Sequence, residues 1–465
     1  MRQLLPTLLL MLAALSPGSA ATAAGAAPHL EVAVQYYRLP NGLRVVLSPQ
    51  RSAPTVTVGV FYRIGFRNEP HGRTGFAHLF EHMMFQGSAN LGKLEFMRLV
   101  QSNGGVLNGS TLYDYTNYYE VVPAHTLETV LWAEADRMRG LAVTQENLDN
   151  QRSVVQNEIA GKVTNQPYGG FPLVPMAATA NRNWHNAHNF WGEPEDLRAA
   201  SLADVQAFFD AYYAPGNAVL VVIGDFDEAQ ARAWIERYFG GIAARSTPAL
   251  PDVSEPRQTA ARHHRYTDRL APRPALAVGW HAPPRGTREH LAMALLDELL
   301  VQGRDSLLYQ RLVNERGFTS GVGGGINLMG TAFEYDGPMQ WLVYLIHDPA
   351  TPPAAILAEI DSVVTRVQRQ GVSAADLERA RTKLRSGLYS IIGSSTRFGL
   401  ANLLASFALF DDDPARINRL EREFEAITPR LVRRVAREYL RRENRTVIEL
   451  EAGSPGGAAG EEKVP

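Results

Sequence analysis

Pro54-Thr-Val-Thr-Val-Gly59 and Pro274-Ala-Leu-Ala-Val-Gly279 share one pattern in opposite halves of the chain. Each is a short strand-like run opened by proline and closed by glycine, and each leads through a Pro/Arg/Gly-containing loop into a helical stretch. A second unit repeats in the same order. Leu202–Gly224 reads as a helix, an Asn-containing turn and a β-run, and Thr428–Glu451 echoes it. Duplication of one α/β unit of roughly 200 residues is the simplest account of two echoes in one order.

Outward from these runs, Glu31–Leu47 alternates in strand fashion around a turn at Pro40-Asn41-Gly42, and β-type sequence returns at Ala218–Gly224. Helical periodicity marks Thr74–Phe85, Thr126–Leu141 and Gln145–Lys162. The stretch 245–258 contains Pro248, Pro251 and Pro256 among Ser, Thr and Asp, which is linker composition. The expected division is a first domain over 30–244, a linker over 245–258, a related second domain over 259–452 and a disordered tail over 453–465.

The start of the chain reads as a leader over residues 1–23. Arg2 supplies the positive charge, Leu4–Leu15 the apolar core, and small residues with cleavage after Ala20 or Ala23 follow. Beyond it, no apolar run approaches the ~20 residues of a membrane span. The 465-residue chain has no Cys, so disulfides, thiolate metal sites and cysteine nucleophiles are excluded together. A periplasmic or secreted protein without a membrane span is expected. A net charge of -2 gives no reason to expect a nucleic-acid partner. The arginines of Arg430–Arg445 are expected to scatter around a solvated helix.

Chemistry concentrates in Thr74-Gly-Phe-Ala-His-Leu-Phe-Glu-His-Met-Met-Phe85. Phe76, Leu79/Phe80 and Met83 recur at helical spacing and define a buried face. His78 and His82 then lie one turn apart on one side, close enough to hold one ion. Glu81 sits beside them, displaced so that it meets a water rather than the metal. A zinc peptidase needs three protein ligands, an open position and a base. Two imidazoles and Glu81 supply all but the third ligand, for which Glu134, Glu146 and Glu158 are candidates.

Gly75-Phe-Ala-His-Leu-Phe-Glu-His-Met-Met-Phe-Gln-Gly87, followed by Asn108-Gly-Ser-Thr-Leu-Tyr-Asp-Tyr-Thr-Asn-Tyr-Tyr-Glu120, resembles the pitrilysin/insulinase family of zinc metallopeptidases. The likeness runs from about Glu31 to Glu451. It implies an α+β fold of two related α/β domains, each a mixed, largely antiparallel sheet covered by helices. It also implies that Glu158, in Gln151-Arg-Ser-Val-Val-Gln-Asn-Glu158, is the third zinc ligand beside His78 and His82, with Glu81 as the catalytic base. Asn108 and Gly109 match the edge strand that pairs with substrate backbone in the family; a simple Asn-Gly turn is the alternative. Glu134 shares a helical face with Leu127, Leu131 and Met138, and is expected either to back a zinc-ligand imidazole or to form an ordinary surface ion pair.

Two features depart from the family pattern. Gln151 stands where many members have Glu, and is expected to support the metal ligands without adding charge. In Leu312-Val-Asn-Glu-Arg-Gly-Phe-Thr-Ser320, Val313 and Ser320 replace an Arg and a Tyr that grip the substrate carbonyl. The resemblance therefore implies a zinc endopeptidase acting on peptides or unfolded segments. Its partner would be a homologous zinc-free subunit supplying Arg and Tyr. The alternative is a non-catalytic peptide-binding or assembly subunit that keeps the fold. Gly317–Gly325 lacks the Lys-Ser/Thr of a phosphate loop.

Overall fold

The computed structural model of the chain describes residues 30–453. The leader and tail residues 454–465 lie outside them. Two sheets form the frame. The first joins β1 (Gln35–Arg38), β2 (Arg44–Pro49), β3 (Thr55–Tyr62), β4 (Val106–Thr111), β5 (Thr116–Pro123) and β6 (Ala218–Gly224) in the order β1-β2-β6-β3-β5-β4. The second joins β7 (Arg262–Asp268), β8 (Ala275–His281), β9 (Gly323–Gly325), β10 (Gln340–Ile346) and β11 (Arg445–Ala452) in the order β7-β11-β8-β10-β9.

Without β1 the two sheets superpose in topology. β2 pairs with β6 in parallel, as β7 does with β11, and every other pairing is antiparallel in both. The echoed runs that begin at Pro54 and Pro274 become β3 and β8, the central antiparallel strands of their sheets. The duplicated, largely antiparallel α+β fold is thus the one present.

Burial explains why some strands alternate and others do not. All seven residues of β6 are buried. Val219, Val221 and Ile223 face a core shared with the second half, while Leu220 and Val222 face the helices of the first. A strand covered on both faces needs apolar side chains at every position.

The helices of the first half are α1 (Phe76–Met83), α2 (Glu95–Ser102), α3 (Leu127–Arg139), α4 (Gln145–Ile159) and α5 (Leu173–Ala180), with further helices after them. α1 and α3 lie on the first sheet. α5 instead crosses to the second sheet, where Met176 and Ala180 pack on Ala277, Leu342 and Ile448. The helix Phe398–Phe410 makes the reverse crossing and packs against β2, β3 and β6. The stretch 245–258 contains no helix or strand, but Glu255 binds the backbone N–H groups of Arg182 and Asn183 at 3.0 and 2.9 Å. No helix among the described residues is long and apolar enough to cross a membrane.

Candidate metal centre

α1 starts at a tight junction. Gly75, with φ at +79°, occupies the left-handed region that favours glycine. Gly192 crosses so closely that a Cβ there would lie 2.5 Å from Gly75 Cα. The crossing brings Phe190 and Trp191 onto the His78 ring, with centroids at 5.7 and 5.5 Å. Glu69, fully buried, accepts the N–H groups of Gly75 and Ala77 at 2.9 and 2.7 Å and so caps the helix that bears the histidines.

α4 packs against α1, and Glu158 on its last turn meets both imidazoles. Its Oε2 is 3.2 Å from His82 Nε2 and 3.6 Å from His78 Nε2. Ligand atoms bonded to one tetrahedral ion at about 2.0–2.1 Å stand about 3.3 Å apart, so these spacings fit a shared zinc ion. The three residues are the one such cluster among the described residues, with their ligand atoms within 4.8 Å of one another. Glu134 and Glu146 do not join it. The opposite oxygen of Glu158 accepts from Lys162 Nζ at 2.6 Å. Lys162 lies in the π-helical turn Ala160–Thr164 that continues α4 beyond Glu158.

Electrostatics keep the ligands in metal-binding form. Burial drives the His78 imidazole down to about 4, with His82 acting in the same direction, so it is neutral at ordinary pH. Burial also lowers His82, against opposing effects of Glu158 and of a hydrogen bond to Gln151. For Glu158, burial favours the neutral acid, but Lys162 and the two imidazoles outweigh it and hold the carboxyl below its usual range. Neutral imidazoles and an ionised carboxylate are the donor set zinc requires.

Glu81, between the two histidines in sequence, reaches the sheet edge. Its Oε2 accepts from Thr111 Oγ1 at 2.8 Å, and burial raises its proton affinity. Thr111 belongs to β4, the edge of the first sheet. Asn108 and Gly109 pair there with Tyr119 and Tyr118, so they lie within a strand and not in a turn. A Cβ on Gly109 would sit 3.0 Å from Glu81 Cγ, which shows how closely the edge passes Glu81.

Glu134 is fully buried, and its partner is Arg137, not an imidazole. Arg137 lies 3.9 Å over the Phe96 ring and also contacts Glu120 at 3.3 Å. Gln151, by contrast, is at His82. Val313 is half-buried and Ser320 exposed on the second unit. The neighbouring Arg311 and Arg316 are both bound to Glu359, so neither is free to replace the missing Arg. The residues that sequence reasoning missed are Glu69, Thr111, Lys162, Phe190 and Trp191. Lys162, four residues beyond Glu158 on a helical pattern, is the one whose contact the spacing could have revealed.

An HxxEH helix, a glutamate from a second helix and a free sheet edge beside them define an inverted-motif metallopeptidase framework. The family model described as Insulinase (Peptidase family M16) matches residues 44–187, and that described as Peptidase M16 inactive domain matches residues 199–384. The chain belongs to peptidase family M16. It is 27% identical over 425 residues to the zinc protease PqqE of Helicobacter pylori, covering 89% of this chain and 91% of that one. The crystal structure of a protease from Helicobacter pylori matches with a TM-score of 0.82 at 25% identity, over 90% of this chain and all of that one. The first half of the periplasmic protease PqqL from Escherichia coli shares the fold, with a TM-score of 0.72 at 18% identity over 91% and 93% of the two chains.

Proposed function

We propose that the chain is a zinc-dependent endopeptidase for peptides or unfolded segments and the metal-bearing subunit of a heterodimer. The carrying observation is the convergence of His78, His82 and Glu158, with Glu81 alongside and an open strand edge at Asn108-Gly109. A bound zinc ion would supply Lewis acidity, acidifying water and polarising a carbonyl.

The chain's own residues do the rest. β4 offers unpaired backbone groups to an extended peptide, which would add as a further strand. Glu81 is placed to take a proton from the attacking water and to hand it to the departing amine. Its raised proton affinity suits that exchange near neutral pH. Thr111 fixes the carboxylate's orientation. Beside His78, a cavity of about 340 Å³ lined by Phe66, Tyr113, Phe171, Phe190 and Trp191 suits an apolar substrate side chain.

The partner half of the reading rests on Val313 and Ser320. Neither offers the extended donor that a developing oxyanion needs. A homologous zinc-free chain bearing Arg and Tyr would complete the site in trans. The same two residues also favour the second reading, a non-catalytic peptide-binding or assembly subunit. A periplasmic or secreted location fits the leader and the periplasmic relative.

Glu81→Gln separates these readings. The variant should retain about one zinc per chain by elemental analysis while losing peptide cleavage measured with the partner co-expressed. Undiminished cleavage would remove Glu81 as the base. No cleavage by the wild-type pair on any peptide would favour the assembly role.

A further inference from the structure

The arginines near the C-terminus do not scatter as their sequence suggested. In the helix Pro429–Tyr439, Leu431, Val432, Val435 and Ala436 are buried, which turns Arg430, Arg433, Arg434 and Arg437 to solvent along one face. Their spacing of three and four residues makes a single stripe about 10 Å long at 1.5 Å per residue, with Arg441 just beyond the helix end. Arg257 joins from the neighbouring segment. A surface trough of about 550 Å³ is lined by these six arginines and one carboxylate, Glu438.

Most of this charge is not neutralised within the chain. Arg434 pairs with Glu289. Arg433 and Arg441 donate to backbone carbonyls of Gln368, Glu438 and Gln258, which leaves their charge in place. Among the described residues, Arg257, Arg430 and Arg437 have no carboxylate partner. Like charges at this spacing destabilise a helix, yet here they stand together on a chain whose net charge is -2.

We infer that this stripe docks the chain on the phosphate headgroups of an anionic membrane surface. Guanidinium groups bind phosphate oxygens in pairs of hydrogen bonds. The groups form a row of exposed side chains and do not converge on one point, so they match an extended array of phosphates better than a single small anion. The helix offers no exposed aromatic ring for a base to stack on, which sets it apart from single-stranded nucleic-acid sites. No apolar side chain on the stripe is large and exposed, so attachment would be electrostatic and peripheral.

The test is co-sedimentation of the full chain with vesicles of equal parts phosphatidylglycerol and phosphatidylcholine, compared with phosphatidylcholine alone. Binding is expected only to the anionic vesicles, falling at least ~10-fold when salt rises from about 0.05 to 0.5 M. An arginine near an anionic surface contributes about fivefold. The triple variant Arg430→Gln/Arg433→Gln/Arg437→Gln should therefore bind roughly 100-fold more weakly, with a thermal midpoint no lower than wild type and unchanged zinc content. Equal binding to both vesicle types, or full binding by the triple variant, would overturn the assignment. So would indifference to vesicles combined with tight binding of polyglutamate or single-stranded RNA, which would identify a polyanionic chain as the partner instead.

Discussion

The two halves of the molecule share one five-strand pattern, to which the first adds β1, but among the described residues only the first half carries the clustered histidines and glutamates. In the first half, the helix after the central strand presents His78, Glu81 and His82. In the second, the corresponding helix Arg288–Leu300 follows β8 and is buried through Leu291, Ala292, Met293, Leu295 and Leu296. Its one histidine, His290, is buried completely and held far below its ordinary range by desolvation. The backbone frame therefore tolerates either a metal centre or an apolar core at the same place. What decides is the side chains of one helix and the presence of a second helix bearing Glu158.

The largest expected break in this comparison comes from the base. With partner present, Glu81→Gln should lower the cleavage rate by about 10²–10⁴-fold, the range for a general base, and leave the fold as it is. Next comes the buried pair on α3. Removing one member of a buried ion pair costs about 3–5 kcal/mol, so Arg137→Met should lower unfolding free energy by that order in denaturant titrations. Zinc per folded chain should not change. Metal loss in folded protein would show that Glu134 acts on the centre after all.

The second half should show its character in pH. Burial raises Glu334 to about 7 from 4.5. Below pH ~4.5 both folded and unfolded chains carry its proton. Between ~4.5 and 7 only the folded chain does, so this contribution to stability is lost as pH rises through that window. Glu334→Gln should flatten the pH dependence, and its stability relative to wild type should rise by up to about 3 kcal/mol between pH 4 and 8. Urea melts across that range check it. The smallest effect tests the incompleteness of the second half. Val313→Arg/Ser320→Tyr should raise the peptidase rate of the chain without its partner by about 10-fold, or 1.4 kcal/mol of barrier. No gain would mean that the missing donors are not what limits the lone chain.

Local pattern carried much of this structure. The period-two runs became β3 and β8, and the helical spacing of Phe76, Leu79 and Met83 placed both histidines on one side of α1. The link to Glu158 came by resemblance, because a contact between two helices with two strands and two helices between them in sequence has no local signature. Glu134 is the opposite case: its face was read as buried, and its partner Arg137 lies three residues on along the same helix, a spacing the sequence displays. The arginine stripe was legible in the spacing of Arg430, Arg433, Arg434 and Arg437. The run was expected to be a helix with its arginines all around it, whereas burial of Leu431, Val432, Val435 and Ala436 confines them to one face.

The exchange of helices between the halves sets an order of events. The first sheet, with the candidate metal centre on one face, is complete in sequence once β6 has been made. Its opposite face stays wet until Phe398–Phe410 emerges, late in synthesis from the N-terminus. Val219, Val221 and Ile223 are exposed to other chains during that interval, and a truncation before residue 398 leaves them so permanently. A fragment ending at the close of the first sheet would contain His78, His82 and Glu158 and still lack the conditions to stay dispersed.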